Sequence, residues 1–239
     1  MASGKVKKAY FELLLTCGEE YDETYNVRPF KILIVRDFPP KYLPRIEFES
    51  LQDISTLREV CNEIKEETLP NLNKLDFNEI FNEIKGRVWD KLKERKFSGT
   101  LEDYSTLGAY EVLKITRIAP FLLDKNIEEF FIDGWRSNVY LTHSTFGKMD
   151  SDIILTKEEI DAISTHLQLY SGRDVSGSRT TLKTELRTND FHVRINLDVE
   201  PLAVDGPSIS VRNLRRKYFT IIELIRNHTL SIEAAAFLI

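Results

Sequence analysis

The sequence predicts an α+β fold: a mainly helical N-terminal module over residues 1–100, then an antiparallel sheet covered by helices over residues 101–239. Three observations lead there. Phe77, Ile80, Phe81, Ile84, Val88, Trp89 and Leu92 recur at helical spacing and form one apolar stripe. Phe191, Val193, Ile195, Leu197 and Val199 alternate with His192, Arg194, Asn196 and Asp198, the signature of a strand with one buried face. Asp205-Gly206-Pro207 supplies a turn before a second alternating run, Ser208 to Leu214. Strands that each hide one face need a cover, and helices on that face provide it.

The elements follow in order. Lys31 to Val35 reads as a strand, and Pro39-Pro40 breaks it. Leu57, Val60, Cys61 and Ile64 mark a first helix that Pro70 closes. Asp76 with Glu79 three residues on is a capping box opening the Phe77 helix. Phe97-Ser98-Gly99-Thr100 is the expected module boundary. Tyr104 to Thr116 reads as a helix, and Asp124 to Phe131 as another short one before Asp133-Gly134. Strands are expected at Asn138 to His143 and near Asp152 to Leu155. Thr156 with Glu159 caps a helix through Ile160, Ile163 and Leu167 that stops near Gly172. Leu182 to Leu186 then turns through Thr188-Asn189-Asp190 into the Phe191 strand. Two helical pieces, Thr220 to Arg226 and Ser231 to Ile239, end the chain.

Composition narrows the function classes. Lys and Arg number 33 against 38 Asp and Glu, a formal charge of −5, so no global field draws the chain to nucleic acid or anionic lipid. Two cysteines, Cys17 and Cys61, offer neither a disulfide framework nor metal spacing and fit a reducing compartment. No apolar run approaches the ~18 residues of a membrane span, and the N-terminus lacks a signal-peptide core. A soluble, intracellular protein is the expectation.

Chemistry concentrates on the sheet. If the Phe191 and Ser208 strands cover one core, Arg194 and Arg212 emerge on the same polar face. Two strand-fixed guanidiniums make a clamp for an oxyanion or phosphate, because each offers planar bidentate donors. The plainer reading, which periodicity alone favours, is that they are solvated or paired with Asp198 and Glu200. Arg212, Arg215, Arg216 and Lys217 form a local basic cluster without the aromatic interleaving of a nucleic-acid reader. Gly172 and Gly177 mimic the opening of a phosphate loop. However, Ser178 and Arg179 stand where its lysine and hydroxyl should be, and the segment leaves a helix rather than a strand. His143, His166, His192 and His228 lack ligand-pair spacing and read as surface or half-buried side chains. There is no nucleophile elbow and no complete catalytic site.

Several segments together resemble one family. "NIEEFFIDGWRSNVYLTH" (126–143) is similar to the opening of the N-terminal domain of secretion-type ATPases, the motors of type II and type IV secretion, type IV pili and the archaeal flagellum. "SDIILTKEEIDAISTHLQLYSGRDVSGS" (151–178) resembles that domain's helix closing on Gly-Arg. The stretch from Phe191 to Ile239 resembles its arginine strand, its Gly-Pro-Ser strand with a second arginine, and its helical exit toward the motor domain. The resemblance spans about Tyr110 to Ile239 and is nearest to archaeal members, which carry a variable N-terminal module. One departure is clear: the prolines and glycine that the family carries before its arginine strand are absent from "TTLKTELRTND" (180–190).

The resemblance implies the regulatory half of a hexameric ATPase, ending about where the RecA-like motor domain of the same parent chain would begin. ATP and Mg would be bound by the full-length parent, and this part alone would not hydrolyse ATP. Arg194 and Arg212 match the two strand arginines that the family presents to the nucleotide phosphates. Other subunits of a homo-hexamer and a polytopic membrane platform protein are the implied partners, with a cytoplasmic location peripheral to the inner face of the cell membrane and no nucleic acid. The alternative is a stand-alone protein-interaction or sensory module without nucleotide chemistry. A third reading is a nucleic-acid-associated factor using Arg212 to Lys217.

Overall fold

The computed structural model describes residues 10–15, 20–67, 76–95, 97–175, 179–214 and 220–238. Cys17, Pro70, Gly177, Ser178 and the basic residues Arg215, Arg216 and Lys217 lie outside them. Seven α-helices and a nine-stranded mixed sheet make up the described chain, so the α+β reading holds at that level.

The sheet is three antiparallel meanders laid side by side. The first comprises β1 (Glu23–Val27), β2 (Phe30–Val35) and β3 (Lys41–Arg45). The second comprises β4 (Ile127–Asp133), β5 (Asn138–His143) and β6 (Gly147–Ile154). The third comprises β7 (Thr181–Arg187), β8 (His192–Asp198) and β9 (Ser208–Asn213). A parallel pairing of β3 with β6 and an antiparallel pairing of β4 with β9 join them, giving the order β1-β2-β3-β6-β5-β4-β9-β8-β7.

Three expectations need correction. The order of a helical module followed by a sheet is not matched, because three strands precede the first α-helix. β1 and β3 escaped notice for local reasons. β1 is a polar edge strand, and β3 carries Pro44, a residue that argues against a strand interior. The sheet is also not wholly antiparallel, since β3 and β6 run the same way. Finally, the expected helix at Asp124 to Phe131 is largely the strand β4, preceded by the short helix α4 (Ala119–Leu123). A register shift between Ile127 and Glu129 breaks the alternation there. Ile127 and Phe130, three apart, are both buried, a spacing that imitates a helix.

Helices pack against the sheet. α1 (Leu51–Glu66), α2 (Phe77–Glu94) and α3 (Leu101–Val112) pack on one another and bury Leu57, Val60, Ile64, Ile84, Val88, Leu92 and Leu107. The predicted capping boxes at Asp76/Glu79 and Thr156/Glu159 are present, opening α2 and α5 (Lys157–Ser171). Gly172 ends α5 in the left-handed conformation, the C-terminal stop the sequence signalled. α6 (Ile221–Arg226) and α7 (Ile232–Leu238) follow β9 and contact each other. One connected apolar core runs from Phe11 to Val211, taking in both the three-helix layer and the sheet.

Buried polar groups fasten this core, each with partners that offset its desolvation. Glu111, fully buried, accepts from the backbone N–H groups of Tyr10 and Phe11 at 3.0 Å, from Lys65 Nζ and from Thr116 Oγ1. Asp124 accepts from the Tyr25 hydroxyl at 2.6 Å, the Tyr42 hydroxyl at 3.0 Å and Asn126 N at 2.9 Å. Arg117 and Glu159 form a buried bidentate pair that ties the α3–α4 turn to the first turn of α5.

Candidate functional site

The exposed face of β8 and β9 holds both arginines singled out in the sequence. On β8 and β9 the apolar residues Val193, Ile195, Leu197, Ile209 and Val211 turn into the core. Their alternates, Arg194 and Arg212, are exposed on the other face. The register sets Arg194 directly opposite Arg212. Directly opposed residues sit about 4.5–5.5 Å apart at Cα, so the two guanidiniums can reach one common anion.

The row continues outward on both sides. Glu185 of β7 lies opposite Arg194, and Glu129 of β4 lies opposite Arg212. Glu185 Oε1 accepts from Arg194 Nη2 at 2.7 Å and Nε at 3.2 Å, and its Oε2 lies 3.5 Å from His192 Nε2. The hydrogen bond from Arg194 holds the Glu185 carboxyl below the usual carboxylate range. So the partner of Arg194 is Glu185, not the Asp198 or Glu200 that sequence proximity suggested; Asp198 instead accepts from Thr181 and Asn196. No carboxylate among the described residues lies within ion-pair distance of Arg212. Arg187, opposite His192, adds a third guanidinium to the same exposed face.

Like charges directly opposed on a sheet are destabilising. Here one guanidinium is neutralised by Glu185 and the other is left in solvent, an arrangement an anion would complete. Planar guanidinium donors are the groups that carboxylates and phosphates accept from. No group of three His, Cys, Asp or Glu side chains that could hold a metal ion occurs among the described residues.

The histidines divide. His143 is buried, contrary to the surface or half-buried expectation. Its Nδ1 accepts from the backbone N–H of Thr145 at 3.1 Å, so Nε2 carries the proton and donates to the Tyr25 hydroxyl, 3.2 Å away. Burial lowers its pKa, and it serves the Asp124 network. That network gave no signal in the sequence, because Tyr25, Tyr42, Asp124 and His143 meet only when β1, β3 and β5 are assembled. His166 Nε2 is 2.9 Å from the Leu113 carbonyl, and His192 stands beside Glu185.

A concavity of about 570 Å3 opens at the end of the sheet between the β4–β5 and β8–β9 loops. Asp133, Trp135, Arg136, Asp205 and Ser208 line it, and sequence reading singled out none of them as site residues. Asp133 is engaged by Tyr140 and Ser208, and Lys157 Nζ stands 5.3 Å from the Trp135 ring centre.

No helix among the described residues is long and apolar enough to cross a membrane. No family model matches the sequence. Uncharacterized protein MJ0781 of Methanocaldococcus jannaschii is 24% identical over 135 residues, which is 56% of this chain and 18% of that protein. The matching segment is thus less than a fifth of that relative's length. Among solved structures, the VirB11 ATPase from the Brucella suis type IV secretion system, crystallised with sulphate, superposes with a TM-score of 0.41 and 17% identity, over 50% of this chain and 34% of that one.

Proposed function

We propose that this chain is the regulatory and assembly N-terminal part of a hexameric ATPase of the secretion or type IV pilus-like class, of archaeal type, in which Arg194 and Arg212 meet the nucleotide phosphates. The observation that carries the reading is the directly opposed, exposed arginine pair on β8 and β9. The sequence resemblance over Tyr110 to Ile239 supports it. Two fixed guanidiniums suit phosphate oxygens because each presents parallel N–H donors in a plane. Charge developing on a transferred phosphoryl group is stabilised by donors already in place.

The exposed arginine pair is what supports phosphate oxygens as the ligand of this face. Nucleotide chemistry belongs in this reading to a motor domain of the same parent chain, and ATP with Mg would bind there. The arginines then act from across a cleft, and rigid-body movement of this part reports the nucleotide state. Other subunits of a homo-hexamer and a polytopic membrane platform protein are the proposed partners, at the cytoplasmic face of the cell membrane. The second reading, a stand-alone interaction module, draws on the exposed Ile222, Ile232, Phe237 and Leu238 of α6 and α7.

The test compares ATP turnover of the parent chain carrying the motor domain with that of its Arg194→Ala and Arg212→Ala variants. A loss of about tenfold or more in each, ~1.4 kcal/mol of transition-state stabilisation, with unchanged circular dichroism, supports the reading. Unchanged turnover returns both arginines to a solvated face and favours the interaction module.

A further inference from the structure

Among the described residues β7 is an outer strand of the sheet, paired with β8 on one side only. The Val199 N–H donates to the Thr180 carbonyl at 2.9 Å and the Thr188 N–H to the Phe191 carbonyl at 2.8 Å, bracketing an unbroken β7–β8 register. Hydrogen-bonded pairs alternate along an antiparallel ladder. The even-numbered residues of β7 therefore bond to β8, and the odd-numbered ones turn their N–H and C=O groups outward. Asn78 Nδ2 donates to the outward Arg187 carbonyl at 3.3 Å, as that parity requires. No described residue engages the outward main-chain groups of Thr181, Lys183 and Glu185.

An open edge is a template for another strand. The strand that fits this one is its own copy. For outward groups to meet, a second β7 running antiparallel must set odd-numbered residues against odd-numbered residues, so a two-fold axis passes through one residue of the strand. Centred on Lys183 it opposes lysine to lysine, and centred on Glu185 it opposes glutamate to glutamate, both unfavourable. Centred on Leu182 it opposes Lys183 to the uncharged Thr181. Centred on Leu186 it opposes Glu185 to Arg187, but needs the Arg187 carbonyl that Asn78 holds. Centred on Thr184 it opposes Lys183 of each copy to Glu185 of the other, and each such pair exchanges two main-chain hydrogen bonds. The other face of the strand agrees: Leu182 meets Leu186, and Thr184 meets Thr184. β1, at the far edge of the sheet, carries a single charged residue, Glu23, and offers no such complement.

We propose that two copies of this chain join through β7, antiparallel and centred on Thr184, into a two-fold dimer with one continuous sheet. Lys183 of each copy then extends the row Glu185–Arg194–Arg212 of the other. This pairing does not depend on the arginine reading.

The full chain is followed by sedimentation equilibrium up to about 1 mM, a range that captures the weak affinity of so small an interface. The expected result is a monomer–dimer equilibrium. Lys183→Glu opposes glutamate to glutamate and Glu185→Lys opposes lysine to lysine, so each variant alone should dimerise about tenfold more weakly or worse. Mixed in equal amounts, the two variants restore opposite charges at both contacts and should form a heterodimer of wild-type strength. In the unaltered protein, the Lys183 and Glu185 amides should gain protection from hydrogen exchange as concentration rises, while Leu182 and Thr184, already bonded to β8, should change little. That readout decides alone if a variant fails to fold. A monomer at about 1 mM, a dimer indifferent to both variants, or a mixture no stronger than its components would overturn the proposal.

Discussion

Replacing Arg117 with methionine tests whether the Arg117–Glu159 pair fastens α5 to the helix-covered face. Arg117 is 7% exposed and Glu159 1%, and Arg117 Nε donates to Glu159 Oε1 at 2.8 Å. Glu159 also accepts from Thr156 N at 2.8 Å, closing the capping box that starts α5. Removing the guanidinium leaves a buried carboxylate with one backbone donor. Breaking a buried pair from one side costs ~3–5 kcal/mol. For a chain of this size each kcal/mol lowers Tm by ~2–4 °C, so Arg117→Met should lose ~6–20 °C. Arg117→Met with Glu159→Met removes the stranded charge and keeps the volume. What remains lost is the capping contact, ~1 kcal/mol. The double variant should therefore be more stable than Arg117→Met alone, by ~2 kcal/mol or more. Urea unfolding at pH 7, followed by circular dichroism and fluorescence with coincident transitions, measures all four corners of the cycle. A double variant as unstable as the sum of the singles would refute the reasoning.

Four further outcomes follow. Arg212→Thr relieves the like-charge opposition to Arg194 and should leave stability within ~0.5 kcal/mol of wild type or above it; a thermal melt in anion-free buffer checks this, and a loss above ~2 kcal/mol would show that Arg212 is structural. Gly134 has φ +76°, and a Cβ there would stand 2.3 Å from the Asp205 carbonyl oxygen, so Gly134→Ala should cost ~2 kcal/mol or more by urea unfolding. Burial lowers the pKa of both His143 and His166. The unfolded chain therefore binds more protons near its histidine pKa, and stability should fall as pH drops below ~6.5. Urea midpoints at successive pH values measure this, and His143→Asn with His166→Asn should flatten the slope. Burial pushes the Cys61 thiol well up, so Cys61 should be modified by a disulfide reagent at least ~1,000-fold more slowly in the folded than in the urea-unfolded protein, as read by mass spectrometry of its peptide.

Legibility followed the range of the interactions involved. α2 and α5 could be read because their capping boxes and apolar stripes lie within a few residues of each other. β8 could be read because its whole length alternates. β4 could not, because the shift in register with β5 destroys the alternation that reveals a strand. β1 and β3 were hidden for a related reason: an edge strand with polar residues and a strand containing proline acquire their identity from β2 between them. The candidate site was legible in part. Alternation alone put Arg194 and Arg212 on one face, while the assignment of Glu185 as partner needed the β7–β8 register.

The sequence by itself determined which residues could be core and which face of each strand could be polar, since period and composition are properties of neighbours along the chain. It thereby determined that two arginines would share a surface. Tertiary structure decided the rest. It set Arg194 opposite Arg212 rather than one pair removed, and it gave Glu185 to the first and, among the described residues, no carboxylate to the second. It drew Tyr25, Tyr42, Asp124 and His143 into one network across 118 residues of sequence. The physical reason is that strand register, buried charge pairing and cavity shape each depend on residues far apart in the chain, which meet only after the three meanders have joined.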